Sequence, residues 1–174
     1  EFRRVLFRSV NASICVMNVY YTFHPDIIFN LGSAGGMLLG QKVLDIVVGE
    51  ETVYTDVDIT PLGFAYGQLL DEPLSWKCDK ELVEIAMSCA SDDLPTFHQG
   101  LIGTSDAFVA APKVQSIQNH FGGKVVCAEM EGCAVAHTCS KIGVRCLIIR
   151  SLSDVPSTDN KSHEMMMDYL DRAS

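Results

Sequence analysis

The sequence predicts an α/β fold in which a central, largely parallel sheet is covered by helices on both faces. Two observations carry that expectation. Short apolar runs of strand length alternate with segments of helical period through the second half of the chain, the pattern of a helix-covered parallel sheet. The strand candidates are also apolar almost throughout, DIIFNL at 26–31 and CLII at 146–149 for example, as strands buried on both faces must be. At 174 residues and 48% hydrophobic content, the chain is long enough for one domain with a sizeable core.

In chain order, DIIFNL reads as a buried strand ended by a tight GSAGG turn at 32–36. LDIVVGEETVYTD (44–56) is rich in β-branched residues and reads as one or two strands. Residues 57–78 carry Pro61, Gly63, Gly67 and Pro73 and read as a long structured loop. From Asp79, DKELVEIAMSCAS spaces its apolar residues as an amphipathic helix with acids early. HQGLIGTSDAFV reads as a strand into a turn, and PKVQSIQNHF as a helix with proline in its first turn. KVVCAE is a strand, EGCAVAHTCSKIG a helix closed by Gly143, and VRCLIIRSLSD a strand. A last helix begins at Ser162, and its Met165, Met166 and Met167 read as packing residues.

Residues 1–9 stand apart. Val5-Leu6-Phe7-Arg8-Ser9 resembles the translated end of a common sequencing adapter, so 1–9 is read as an adapter artefact and 10–174 as a single domain.

Charge and composition exclude several function classes. A formal net charge of −9, with no basic patch after residue 9, disfavours nucleic acid and anionic membranes as partners. No apolar stretch is long enough to cross a bilayer. Seven cysteines without a CxxC pair read as buried small hydrophobes of a reducing cytosol, so the expected location is cytoplasmic. Asn11-Ala12-Ser13 matches a glycosylation sequon by chance on that reading. The five histidines lack HExxH spacing, so no metal is expected, and no cofactor either.

Ligands of such folds sit where the strands stop, and three strand ends carry polar residues. Glu129-Met130-Glu131 sets two carboxylates at a strand-to-helix junction, where extended geometry sends both to one side. Glu131 either complements the dipole of the following helix or faces a ligand. Arg150 and Asp154 bracket Ser151-Leu152-Ser153. They form either a structural ion pair or a site in which a dehydrated acid holds a proton near neutral pH and donates it. Gly32-Ser33-Ala34-Gly35-Gly36 is either a plain turn or a place of close ligand approach, and it is neither a P-loop nor GxGxxG.

Taken together, HPDIIFNLGSAGG, DVDITPLGFAYGQL, GTSDAFV, VVCAEMEGCAVAH and IIRSLSDV resemble, in order and spacing, the bacterial 5′-methylthioadenosine/S-adenosylhomocysteine nucleosidases of the purine nucleoside phosphorylase and hydrolase superfamily. The resemblance runs from about residue 10 to 170, and the combination of AEMEG with RSLSD is its specific part. It implies a three-layer fold with a central mixed sheet, lacking the first strand and the end of the last helix. It implies Asp154 as the acid that protonates purine N7, held by Ser153, and Glu131 as the carboxylate on the ribose hydroxyls. Met130 would pack on the sugar with Glu129 close by, Phe108 would stack on adenine, and the main chain of Val109 would read the base edge. Ser33 and Arg150 would hold the attacking water. Leu62 would enter the 5′ pocket of the neighbouring subunit in a homodimer.

The implied reaction is hydrolysis of the N-glycosidic bond, releasing adenine. A proton donor improves the leaving group, and an anion near the ribose stabilises an oxocarbenium-like sugar. Nothing before Val10 matches the family's segment that carries the water-activating glutamate, so the polypeptide as it stands is expected to be incomplete and to show little or no activity. A phosphorylase of the superfamily is the nearest rival. Purine phosphorylases place an arginine three residues before the serine of the glycine turn, where this chain has Asn30. A futalosine-type hydrolase would share the same catalytic parts. A non-catalytic nucleoside-binding or storage relative is the alternative from another class.

Overall fold

The computed structural model describes residues 8–109 and 111–155, with the backbone alone at 111 and 112. The helix expected from Ser162, with its three methionines, lies outside the described residues. Ahead of the first element predicted from sequence, Ser9–Phe23 forms helix α1. There follow strand β1 (Ile27–Gly36), β2 (Ile46–Tyr54), the two-residue β3 (Trp76–Lys77), α2 (Lys80–Ser88), β4 (Phe97–Thr104), α3 (Ala111–His120), β5 (Val125–Glu129), α4 (Gly132–Ile142) and β6 (Arg145–Asp154). The fold is α/β with a mixed sheet, as predicted.

The local signals are the expected ones. Asp79 caps α2 by accepting from Leu82 N at 3.1 Å. Gly143 ends α4 in the left-handed region at φ 69°, its N–H returning to Cys139 O. Burial follows the apolar runs of β5, where Val125 to Glu129 are all buried, and of most of β6, but not that of β1, expected to be buried, where Phe29 and Leu31 are 55% and 68% exposed. Trp76 of β3 is buried within what reads from sequence as loop, packing edge-on against Tyr54 at 5.3 Å between ring centroids. Of the seven cysteines, all free, Cys89 departs from expectation: it is exposed, at the C-cap of α2 on the helix's solvent side beside exposed Ile85.

The sheet runs β3-β2-β4-β5-β1-β6, and β6 also pairs with β2. That extra pairing, Ile46 opposite Ser151 and Val48 opposite Ile149, closes β2, β4, β5, β1 and β6 into a ring of five strands. The long ladders β1–β6, β2–β4 and β4–β5 are parallel, while β1–β5, β2–β3 and β2–β6 are antiparallel. Apolar side chains of β2, β4, β5 and β6 share one buried cluster with α1, α2 and α4, and Ile117 of α3 joins a smaller one with Met37, Val125 and Ala128.

The glycine stretch is the main correction to the local reading. GSAGG continues β1 as strand rather than turning away, pairing Gly32 with Arg150, Ser33 with Ser151 and Gly35 with Asp154 on one side, and Gly35 with Ala128 on the other. The glycines serve neighbouring side chains. A Cβ at Gly36 would lie 2.8 Å from Gln41 Oε1, which accepts from Met37 N at 3.0 Å and Leu38 N at 2.9 Å, and one at Gly35 would lie 3.2 Å from Asp154 Oδ2.

A pair of loop glycines separates conformation from crowding. Gly63 and Gly67 both have φ near 88°, but a Cβ at Gly63 meets open space whereas one at Gly67 would lie 2.5 Å from the Tyr54 carbonyl. Urea unfolding should show Gly63→Ala costing about 1–2 kcal/mol, the left-handed penalty alone, and Gly67→Ala clearly more. Equal losses would contradict the packing of the loop on Tyr54.

Candidate active site

Four strands end together. Ala128, Gly35 and Asp154 occupy one row across β5, β1 and β6, about 10 Å from end to end at ordinary strand spacing, and Thr104 of β4 lies opposite Glu129 of β5. The polar residues picked out at the carboxyl ends of these strands are therefore drawn to one end of the sheet.

Glu129 does not lie in line with Glu131. Its carboxylate folds back over the start of α4: Oε2 accepts from Glu131 N at 3.0 Å and Gly132 N at 2.6 Å. Oε2 also accepts from Arg150 Nε at 3.2 Å and Nη2 at 2.6 Å, in an ion pair whose side chains are each 1% exposed. Oε1 accepts from the Thr104 hydroxyl, which in turn accepts from Cys133 N at 2.8 Å.

Arg150 is saturated. Besides the two bonds to Glu129, its Nη1 donates to the carbonyls of Asn30 and Ile149 at 3.0 Å each, and its Nη2 to Asn30 Oδ1, so all five N–H groups have protein acceptors. Its guanidinium thus stands behind Glu129, where the sequence reading expected it to face a water. Ser33, its expected partner in that task, is exposed on β1.

Glu131 occupies the N-cap of α4 yet makes no side-chain cap bond, and its Oε1 accepts from Arg8 N at 3.0 Å. Half-burial raises its pKa, the Arg8 N–H works against that, and the nearby charge of Glu129 adds to the rise. Asp154 is buried at the end of β6. Burial raises its pKa too, opposed by a hydrogen bond from Ser153 Oγ at 2.8 Å, and the same hydroxyl lies 3.2 Å from Ala34 O.

Phe108 is 48% exposed after β4, and neighbouring Val109 packs against the small cluster around Met37 and Ile117. Their loop is fastened to the one before Leu62 by Asp56, whose Oδ2 accepts from Asp106 N at 2.7 Å and Ser105 Oγ at 3.2 Å. Met130 is half-buried, and Leu62, 69% exposed, ends a single 3-10 turn over Thr60–Leu62. Sequence reasoning missed Thr104 and Asp56 as parts of this end of the molecule, and it named Asn30 only as the place of a phosphorylase arginine. Thr104 and Asp56 lie inside recognisable motifs, but spacing carries no sign of where a hydroxyl or a short carboxylate turns. A cavity of about 410 Å³ elsewhere, lined by Glu50, Lys77, Lys80, Glu84 and Lys124, includes none of the expected site residues.

The profile of the phosphorylase superfamily matches residues 9–174. A 5′-methylthioadenosine/S-adenosylhomocysteine nucleosidase of an Exiguobacterium species is 39% identical over 169 residues, 95% of this chain and 71% of its own length. The chain belongs to this nucleosidase family of the phosphorylase superfamily. The corresponding protein of Geobacillus kaustophilus is 39% identical over 87% of this chain, which spans 65% of that relative. Among solved structures, the nucleosidase from S. pneumoniae with a transition-state inhibitor superposes with a TM-score of 0.87 at 32% identity, over 96% of this chain and 72% of the other. The Colwellia psychrerythraea nucleosidase in complex with adenine gives 0.87 at 32% identity, over 94% and 68%. Futalosine hydrolase of Helicobacter pylori gives 0.86 at 23% identity, over 95% and 70%, a likeness of fold alone.

The site yields two stability predictions. Removing charge from one member of the buried pair strands the other, so Glu129→Gln should lose about 3–5 kcal/mol in urea unfolding; a loss under 1 kcal/mol would show that the pair is not shielded. For Asp154 the folded chain binds the proton more tightly than the unfolded chain. Its contribution therefore favours the fold in acid and is lost as pH rises from the ordinary aspartate pKa through the raised one. Asp154→Asn should gain in melting temperature relative to the parent as pH rises above the ordinary aspartate pKa of about 4. A flat or falling difference would contradict the burial of that carboxyl.

Proposed function

We propose that this chain acts in hydrolysis of the N-glycosidic bond of 5′-methylthioadenosine and S-adenosylhomocysteine, releasing adenine. The observation that carries the reading is the pairing of two differently held carboxyls at one end of the sheet: Asp154, buried and inclined to keep a proton, and Glu131, at the mouth of α4 and left free of capping. Asp154 gives its proton to purine N7 while Ser153 orients it. Glu131 accepts from the ribose hydroxyls and interacts more strongly as the sugar becomes cationic, which favours the transition state over the bound substrate.

Phe108 stacks on adenine, the Val109 main chain reads its edge, and Met130 packs on the sugar. Ser33 sits on the water side, and Arg150 serves there through Glu129, since its own donors are used. Leu62 fills part of the 5′ pocket of a second subunit in a cytoplasmic homodimer; its exposure leaves it available for that. Among the described residues no helix is long and apolar enough to cross a membrane.

Hydrolysis is favoured over phosphorolysis by Asn30. Where phosphorylases would present a cation to phosphate, this chain has an amide whose Oδ1 and backbone carbonyl both accept from buried Arg150.

The test is to incubate the protein with methylthioadenosine, with and without phosphate, and identify the products, measuring adenine binding by calorimetry in the same preparations. Adenine binding with little or no turnover is expected of this chain, and any adenine formed should be accompanied by free methylthioribose at a phosphate-independent rate. Asp154→Asn should lower that rate about 10²- to 10⁴-fold, the usual worth of a general acid. A pentose 1-phosphate product, or absence of adenine binding, would overturn the reading.

A further inference from the structure

We infer that Thr104 is a positioning residue for the ribose-facing carboxylate: its hydroxyl, with Glu129, caps helix α4 so that Glu131 is not drawn into capping it. The inference rests on the function proposed above.

The polarity of the Thr104 hydroxyl is fixed by its neighbours. A backbone N–H can only donate, so at Cys133 N, 2.8 Å away, the hydroxyl must accept. Its single proton is then left for Glu129 Oε1. Thr104 is fully buried at the end of β4, its own carbonyl accepting from Thr55 N at 2.8 Å and Thr55 Oγ1 at 3.2 Å. A β-branched side chain on an anchored strand has little χ1 freedom, so the hydroxyl is held without help from solvent.

The consequence lies at the first turn of α4. Helix starts leave N–H groups unpaired, and an N-cap side chain ordinarily turns inward to take one of those at the second or third helical position. Here Glu129 Oε2 takes the N–H groups of Glu131 and Gly132, and Thr104 Oγ1 takes that of Cys133, the second helical position. Glu131, the N-cap residue, makes no cap bond, and its Oε1 accepts instead from Arg8 N at 3.0 Å. Without the Thr104 hydroxyl, Cys133 N–H becomes an unpaired donor at the second position of a buried helix start. Glu131, the N-cap residue, then turns back to it.

The experiment compares Thr104→Val, which keeps the shape and removes the hydroxyl, with Thr104→Ser, which keeps the hydroxyl. Should Thr104→Val fail to fold, Thr104→Ala takes its place. Affinities are measured by calorimetry for two probes: adenine, which does not touch the ribose site, and methylthio-immucillin-A, whose ring stands for the cationic sugar. Thr104→Val should weaken methylthio-immucillin-A by about tenfold or more, the scale of a hydrogen bond to a charged group, while adenine affinity changes less than about threefold. Thr104→Ser should keep both affinities near the parent's. A general loosening of the fold would weaken both probes together, and that result, or equal affinities in the Val and Ser variants, would overturn the inference. If the parent binds neither probe, the proposed function fails and amide hydrogen exchange decides the inference alone. Faster exchange at Gly132 and Cys133 in the Val variant than in the Ser variant upholds it, and equal exchange overturns it.

Discussion

The contact on which this end of the molecule depends is the buried pair of Glu129 and Arg150. Neither charge has access to water, so each is tolerable only because every donor and acceptor finds a partner: Arg150 is shared among Glu129, Asn30 and Ile149, and Glu129 among Arg150, Thr104 and the first amides of α4. Those partners come from β1, β4, β5, β6 and α4. The pair is thus a rivet through four strands and a helix start. Its geometry is inherited by the residues beside it, Glu131 on the helix and Ser151 to Asp154 on the last strand.

Around that rivet the two remaining carboxyls are given opposite tasks by their surroundings. Asp154 is enclosed among Gly35, Ser153 and the end of β6 and is pushed toward its neutral form. Glu131 is only half-buried, with an N–H on one oxygen. A proton donor on one side of a nucleoside and an acceptor for its sugar on the other is the division of labour that cleavage to an oxocarbenium-like intermediate requires.

Much of this was legible in the sequence, and the failures have identifiable causes. Strand ends at Glu129 and Asp154, the Asp79 cap and the Gly143 stop follow from periodicity and capping chemistry, and the structure has them, while β6 runs on through Arg150. GSAGG misled because glycine clusters usually mark turns. Here they thin a strand so that Asp154 and Gln41 can press against it, a tertiary demand that no local rule contains. The closure of β6 onto β2 was invisible for the same reason, as pairing partners are set by the whole sheet. β3 is two residues long, too short to show a period. At the site, the sequence placed Glu129 and Glu131 on one side by strand geometry, but the chain leaves the strand between them. Glu129 then becomes a cap through Oε2, while its Oε1 accepts from the Thr104 hydroxyl twenty-five residues earlier.

The central claim is that Glu129 belongs to the protein and Glu131 to the ligand. A crystal structure of the protein with methylthio-immucillin-A bound tests it most directly. The account predicts Glu131 oxygens within hydrogen-bond distance of the ring hydroxyl, with Glu129 still on the Gly132 amide and Arg150. Glu129 swung onto the ligand, or Glu131 folded back on the Cys133 amide, would contradict it.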